Sequence, residues 1–196
     1  MITLQELKTL FQEPRTFFKQ RSKEVFGTVF LFGLLVIAIG SLSALPSYVK
    51  QFTLSPVWFG PAYIIILCLS ALILFAITGI VHLSLRSFGG QGTYTNTVQS
   101  YVYGGLPSFL WAIPLNAVGY FLPQTVTVSI ILMILSLPVY IYSIYLTLVG
   151  SSFYHKIGMG RAFLALFLPL FILGIITIII LVLFFTIAAV TTTTGI

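Results

Sequence analysis

Five stretches of this chain are apolar for long enough to cross a lipid bilayer as helices, and that limits its fold more than any motif does. A helix rising about 1.5 Å per residue needs about 20 apolar residues to span the hydrocarbon layer. The first run is Val25 to Leu45 (VFGTVFLFGLLVIAIGSLSAL) and the second Pro61 to Leu83. The third, Val98 to Leu122, is interrupted by Pro107 and Pro114, and the fourth, Thr125 to Val149, contains Pro138. The fifth, Ala162 to Val190, has Pro169 near its start and is longer than a perpendicular crossing requires, so tilting, kinking or fraying is expected. Barrel strands would be shorter and would alternate in polarity, and these runs do neither.

Composition agrees. Only 6% of residues are charged and 59% are hydrophobic, where a soluble domain is about 25% charged. In water such a chain would expose large apolar patches. The expected fold class is therefore an all-α integral membrane protein of five transmembrane helices (25–45, 61–83, 98–122, 125–149, 162–190), preceded by an amphipathic cytoplasmic or interfacial segment, 1–24. The first run follows a polar and mixed segment and exceeds the length of a signal-peptide core, so it reads as a retained helix within a 25–196 transmembrane domain. Lys8, Arg15, Lys19, Arg21, Lys23, Arg86, Lys156 and Arg161 fall on segments that face inward if the N-terminus is cytoplasmic, leaving Lys50 alone outside. That bias predicts an N-in, C-out protein of the cell membrane. The net charge of +6 thus reads as an orientation signal and not as a nucleic-acid footprint. The lone Cys68, inside the second run, reads as a small apolar filler.

The first 24 residues are the only charge-dense segment. Thr3 and Glu6 fit a capping box, with Ile2 and Leu7 spaced as its hydrophobic staple. Leu4, Leu7, Leu10 and Phe11 share one helical face. Pro14 should end that helix or open a second. Phe17 and Phe18, flanked by Arg15, Lys19, Arg21 and Lys23, suit a helix lying among anionic headgroups.

A glycine-rich loop, SFGGQGTYTNT, separates the second and third runs. No Lys follows the glycines as a phosphate loop requires, and no strand precedes them as a dinucleotide fingerprint requires, so no nucleotide cofactor is expected. The glycines can end the second helix, and Thr93 or Thr95 can cap the third. Arg86 can snorkel to the inner headgroups. The ordered set His82, Arg86, Gly89-Gly90-Gln91-Gly92-Thr93-Tyr94, Thr97, Tyr101 and Pro107 resembles the central region of the Yip (Ypt-interacting protein) domain family, in the form its prokaryotic members show. Pro14-Arg15-x-Phe17-Phe18 resembles their first segment. The resemblance implies five membrane helices and nominates the loop and its flanks as a functional surface. Eukaryotic relatives associate with Rab-type GTPases and carry an acidic D-L-x-G-P signature. This chain has no aspartate, which argues against a GTPase partner.

A second inner loop, SSFYHKIGMGRAFLALFLP, repeats the pattern faintly with His155, Gly158, Gly160, Arg161 and Pro169, as a degenerate parallel repeat would. Intramembrane aspartyl catalysis lacks its carboxylate pair, because Glu6, Glu13 and Glu24 all precede the first run. H-E-x-x-H is missing too. A serine dyad would have to use Ser151 or Ser152 with His155. His82 and His155 make too small a set for a metal site and read as interfacial histidines bonded to loop carbonyls. Trp111 reads as an interfacial or packing residue. The expected function is non-enzymatic scaffolding or interaction in the bilayer, with a membrane-protein partner or as a homo-oligomer, aided by Gly27, Gly33 and Gly40 as close-contact positions. The alternative is a small-solute transporter or channel with Ser108 and Asn116 lining proline-broken helices.

Overall fold

The computed structural model describes residues 2–52, 57, 59–122 and 125–194, and its long elements are all helices. They are α1 (Leu4–Gln12), α2 (Pro14–Gln20), α3 (Phe26–Phe52), α4 (Phe59–Ser87), α5 (Tyr94–Gly104), α6 (Leu106–Phe121), α7 (Val126–His155) and α8 (Met159–Thr194). Among the described residues three stretches, Phe26–Ala44, Gly60–Ser87 and Val126–His155, are long and apolar enough to cross a membrane.

Burial runs opposite to that of a soluble protein. Ile64, Leu72, Met133 and Ile141 are exposed, while Thr78, Thr97, Gln99, Ser100, Ser143 and Thr147 are buried. In water this arrangement would expose the apolar surface that drives folding. In lipid, helices gain nothing by hiding leucine from leucine-like tails, and polar side chains turn inward to find partners. Cys68 is exposed on this apolar surface.

The third predicted span is two helices. The chain breaks at Gly105, where Pro107 has no amide to return to the Tyr103 carbonyl and the next amide has a partner outside the helix. The Ser108 amide turns away to the Ser143 hydroxyl of α7, at 3.1 Å. The piece before the break, α5, is polar yet largely buried, and α6 starts with Pro107 in its first turn. Pro114, Pro138 and Pro169 stay inside helices. The fourth span runs past the expected Val149 to His155. Of the close-contact glycines, Gly33 lies tight against Val102 and Gly40 lies near Phe109, but Gly27 has open space.

Packing concentrates at one end. Leu10, Phe17, Phe18, Val98, Val102, Tyr103, Leu146, Val149 and Tyr154 belong to one core cluster. Val81, Leu85, Ile157, Ala162, Ala165 and Leu166 form another beside it. The N-terminal arm belongs to this packing. Its capping box is formed as expected, with the Thr3 hydroxyl accepting from the Glu6 amide and the Glu6 carboxylate accepting from the Thr3 amide. Pro14 opens α2. Phe17 and Phe18, expected among headgroups, are instead fully buried against protein. Phe17 meets Tyr103 edge-on at 5.4 Å, and Phe18 meets Tyr154 at 5.6 Å. A buried aromatic side chain stabilises by roughly 2–3 kcal/mol, more than an interfacial one gains. The cations Lys8, Arg15, Lys19 and Lys23 remain exposed.

Candidate functional site

The glycine loop closes α4 with backbone geometry that needs glycine. Gly89 takes φ +86°, the Gly90 amide donates to the Leu85 carbonyl at 2.9 Å, and the Gly89 amide donates to Arg86 at 3.0 Å. These are the two bonds of a Schellman closure. Thr93 then caps α5 in a reciprocal box with Asn96. The end of α7 repeats the design. Lys156 sits in the left-handed region at φ 54°, and the Ile157 amide reaches the Ser152 carbonyl at 3.2 Å. Both helices thus end in the same closure, one that ends a large share of helices in general. A non-glycine residue there costs about 1–2 kcal/mol, and Lys156→Gly is expected to raise thermal stability by about 1 kcal/mol, read as a higher Tm in detergent. The two turns are stitched together where the Gln91 amide donates to the His155 carbonyl at 3.0 Å.

Beneath this stitch lies the polar centre. His82 Nδ1 and His155 Nε2 each lie 2.9 Å from the Thr97 hydroxyl, so α4, α5 and α7 meet on one oxygen. The hydroxyl has a single proton; when it donates to one ring, it accepts from the other. Both histidines therefore bind a buried hydroxyl and not the loop carbonyls expected. Tyr94 packs edge-on to His82 at 5.7 Å and shares a 3.0 Å hydrogen bond with Thr78. His155 is fully buried, and its Nδ1 has no hydrogen-bond partner. The loop covers this ring closely. A Cβ on Gly90 would lie 2.8 Å from His155 Nδ1 and 2.6 Å from the Leu85 carbonyl oxygen, and one on Gly92 3.0 Å from the ring.

Three expectations follow from this packing. Gly90→Ala should lower stability by about 2 kcal/mol through overpacking. Gly89→Ala, which meets open space but a strained φ, should lower it by about 1 kcal/mol. Thr97→Val keeps the shape and strands two ring nitrogens, which should cost about 2 kcal/mol. Thermal melting of the purified variants checks all three, and Thr97→Ser should restore the loss.

A second polar knot fastens the arm. Arg21 pairs with Glu6 at 2.7 Å and with Glu24 at 2.5 Å. Tyr103 donates to the other oxygen of Glu24, and Gln99 donates to the Arg21 carbonyl at 3.0 Å. The guanidinium also lies 5.8 Å from the Phe17 ring centre and 5.7 Å from that of Tyr103. Burial, the largest influence on Arg21, pulls its pKa down, but its bonds to Glu24 and Glu6 outweigh this and raise it. Arg21 and Glu24 thus join the arm to α5. Sequence reasoning assigned Arg21 to the lipid headgroups and overlooked the knot. The available signal was Glu24, a carboxylate beside an apolar span in a chain with only three acidic residues.

A scan against protein-family models matches the Yip1 domain over residues 8–182. The chain belongs to the Yip1 domain family. No curated protein and no solved structure matches it. Family membership and the apolar helices together make it a membrane protein of the Yip type.

Within this Yip1 domain the nominated residues divide. His82 and His155 hold Thr97, Gly90 and Gly92 lie against the His155 ring, Tyr94 packs on His82, and Gly89 and Thr93 shape the loop. Arg86 is exposed one turn away. Tyr101 and Pro107 lie elsewhere: Tyr101 lines a cavity with Ser108, Ser143 and Thr147, and Pro107 is buried at the start of α6. No serine dyad forms. His155 Nε2 is engaged by Thr97, the Ser152 hydroxyl donates to the Ile157 carbonyl at 2.6 Å, and the buried Ser151 hydroxyl has no partner. Trp111 donates to Ser136 at 3.2 Å and is a packing residue.

Proposed function

We propose that this Yip1 protein is a five-span protein of the cell membrane, N-terminus cytoplasmic and C-terminus outside. Its cytoplasmic end is a non-enzymatic platform for assembly with another membrane protein or with further copies of itself. The observation that carries this reading is the use of the polar side chains. Thr97 with its two histidines, Arg21 with its carboxylates, and the Gln91–His155 stitch bind the arm, the glycine loop and the α7–α8 turn into one cap. The segments so joined carry all the cations assigned above to the inner side.

Membrane depth fits this reading. From Val126 to Tyr145, α7 covers roughly 30 Å, the thickness of the hydrocarbon layer. Tyr140, Tyr142 and Tyr145 then stand at the inner boundary, where aromatic belts form. On that placement α5 and the ends of α4 and α7 rise above the lipid as the cap. The exposed Lys8, Lys19 and Lys23 meet anionic headgroups beside it. A solute path is less well supported, because its nominated groups do not converge. Ser108 bonds Ser143, whereas Asn116 donates to Ser43 on α3 at 2.9 Å.

Two measurements test the proposal. In a Cys68→Ala background, an impermeant maleimide applied to sealed right-side-out vesicles should label Thr125→Cys and spare Gln91→Cys. Photo-crosslinking from position 86 in native membranes should then give a discrete protein adduct. Solute flux through proteoliposomes with no adduct would replace the platform by a transporter.

A further inference from the structure

The kink between α1 and α2 creates a feature that the cap does not use. In a continuous helix, residues two apart point to different sides. At Pro14 the chain is not continuous, since Glu13 has φ −136° and ψ 68° and serves as the last cap of one helix and the first of the next. Glu13 and Arg15 therefore line the same cavity, of about 400 Å³, with Thr16 on the arm and Tyr145, Val149 and Met159 opposite. The volume is in the range of small-ligand pockets. Among the described residues the ion pairs run from Arg21 to Glu6 and Glu24; Glu13 and Arg15 do not pair with each other. One acidic and one basic residue thus line a single cavity without pairing with each other.

The wall below the cavity is hydrocarbon-like. Ile141, Ile144 and Tyr145 are exposed along α7 on the way to it. An occupant with apolar chains on that face would lift its polar end between the two charges. The occupant must carry both signs, because an anion alone would leave Glu13 facing it and a cation alone would oppose Arg15. A guanidinium fork matches a phosphodiester. An acidic residue and an aromatic one lining the same cavity suit an ammonium group.

We propose that this cavity binds the headgroup of a zwitterionic phospholipid, with the phosphate on Arg15 and the ammonium between Glu13 and Tyr145. The inference rests on the membrane placement proposed above and assigns a lipid class to the arm beyond its diffuse attraction to anionic surface.

Its test is lipid retention. The full chain, purified in mild detergent from nanodiscs holding equal phosphatidylcholine and phosphatidylglycerol, is examined by native mass spectrometry. Wild type should retain phosphatidylcholine. Arg15→Gln should reduce retention about tenfold, the loss expected for one charge-assisted contact. Glu13→Gln should reverse the preference towards phosphatidylglycerol. Both side chains are exposed, so unchanged melting temperatures accompany these shifts. Preferential retention of phosphatidylglycerol by wild type, or an unaltered preference in Glu13→Gln, overturns the proposal. So does displacement by equimolar soluble glycerophosphocholine, which would make the headgroup alone the ligand. Failure of the membrane placement would show instead in the maleimide pattern, whatever lipid is retained.

Discussion

Arg21→Ala is expected to release the N-terminal arm and to lower stability by about 3 kcal/mol, the lower end of the cost of stripping one partner from a buried ionic group. The lower end applies because the side chains differ in burial. Arg21 is 13% exposed and Glu24 17%, whereas Glu6 is 31% exposed and partly solvated. Glu24 would be stranded beside Tyr103, and the cation–π contacts to Phe17 and Tyr103 would go too. Brief trypsin treatment should then cut at Arg15 and Lys19 in the variant well before wild type. Arg21→Lys should recover only part of the loss, since an ammonium cannot serve two carboxylates as the planar fork does. An arm held only by Phe17 and Phe18 would show wild-type proteolysis in Arg21→Ala, and the ionic account would fail.

Acid gives a second reading of the same knot. The Thr3 backbone donor, opposed by burial and helped by Arg21, holds the Glu6 carboxyl below its ordinary value. A depressed carboxylate pKa adds stability that is present above the unfolded value and is lost as pH falls through the folded one. The arm should therefore loosen below about pH 4.5, with Arg21 still charged, and Glu6→Gln should show less of this acid dependence. Trypsin is inactive at that pH, so pepsin sensitivity of the arm is the appropriate readout.

These contacts also mark where sequence reading stops. Thr3 with Glu6, Pro14, and Thr93 as cap of α5 were legible because the groups involved lie within four residues of one another, and a helix end must satisfy its amides locally. Three apolar spans, the first, second and fourth, were legible by length. Their faces were not, because a helix that is apolar all round carries no phase to say which side meets protein. Phe17 and Phe18 were misread for a related reason: aromatics among cations suit either a headgroup layer or a protein groove, and the groove is built by Val98, Tyr103 and Tyr154, far along the chain. The break at Gly105 was half visible. Pro107 announced trouble, but that Ser143 would accept the freed Ser108 amide depends on how α6 lies against α7. At the candidate site, His82 and His155 were paired only as a metal set too small to work, each bonded to a loop carbonyl. Thr97, which joins them, was legible only as one member of the ordered set that carries the family resemblance.

Gly104→Ala is expected to be the most damaging single methyl group in the chain, at about 3 kcal/mol or more. Its Cβ would lie 2.6 Å from the Thr147 backbone nitrogen and 2.7 Å from the Thr147 Cα. A side chain met at that range could rotate away, as Val102 can at Gly33. Backbone cannot, so α5 and α7 would have to separate along the line that carries Thr97 towards His155 at one end and Ser108 towards Ser143 at the other. Gly79→Ala supplies the control: it lies in α4 with nothing within 4 Å, and removing a helix-interior glycine should be neutral or stabilising by up to about 1 kcal/mol. The contrast separates helix propensity from close approach. If Gly104→Ala and Gly79→Ala melt alike in detergent, α5 does not pack on α7 at backbone distance. The Thr97 hydroxyl would then lose the scaffold that holds it between the two histidines.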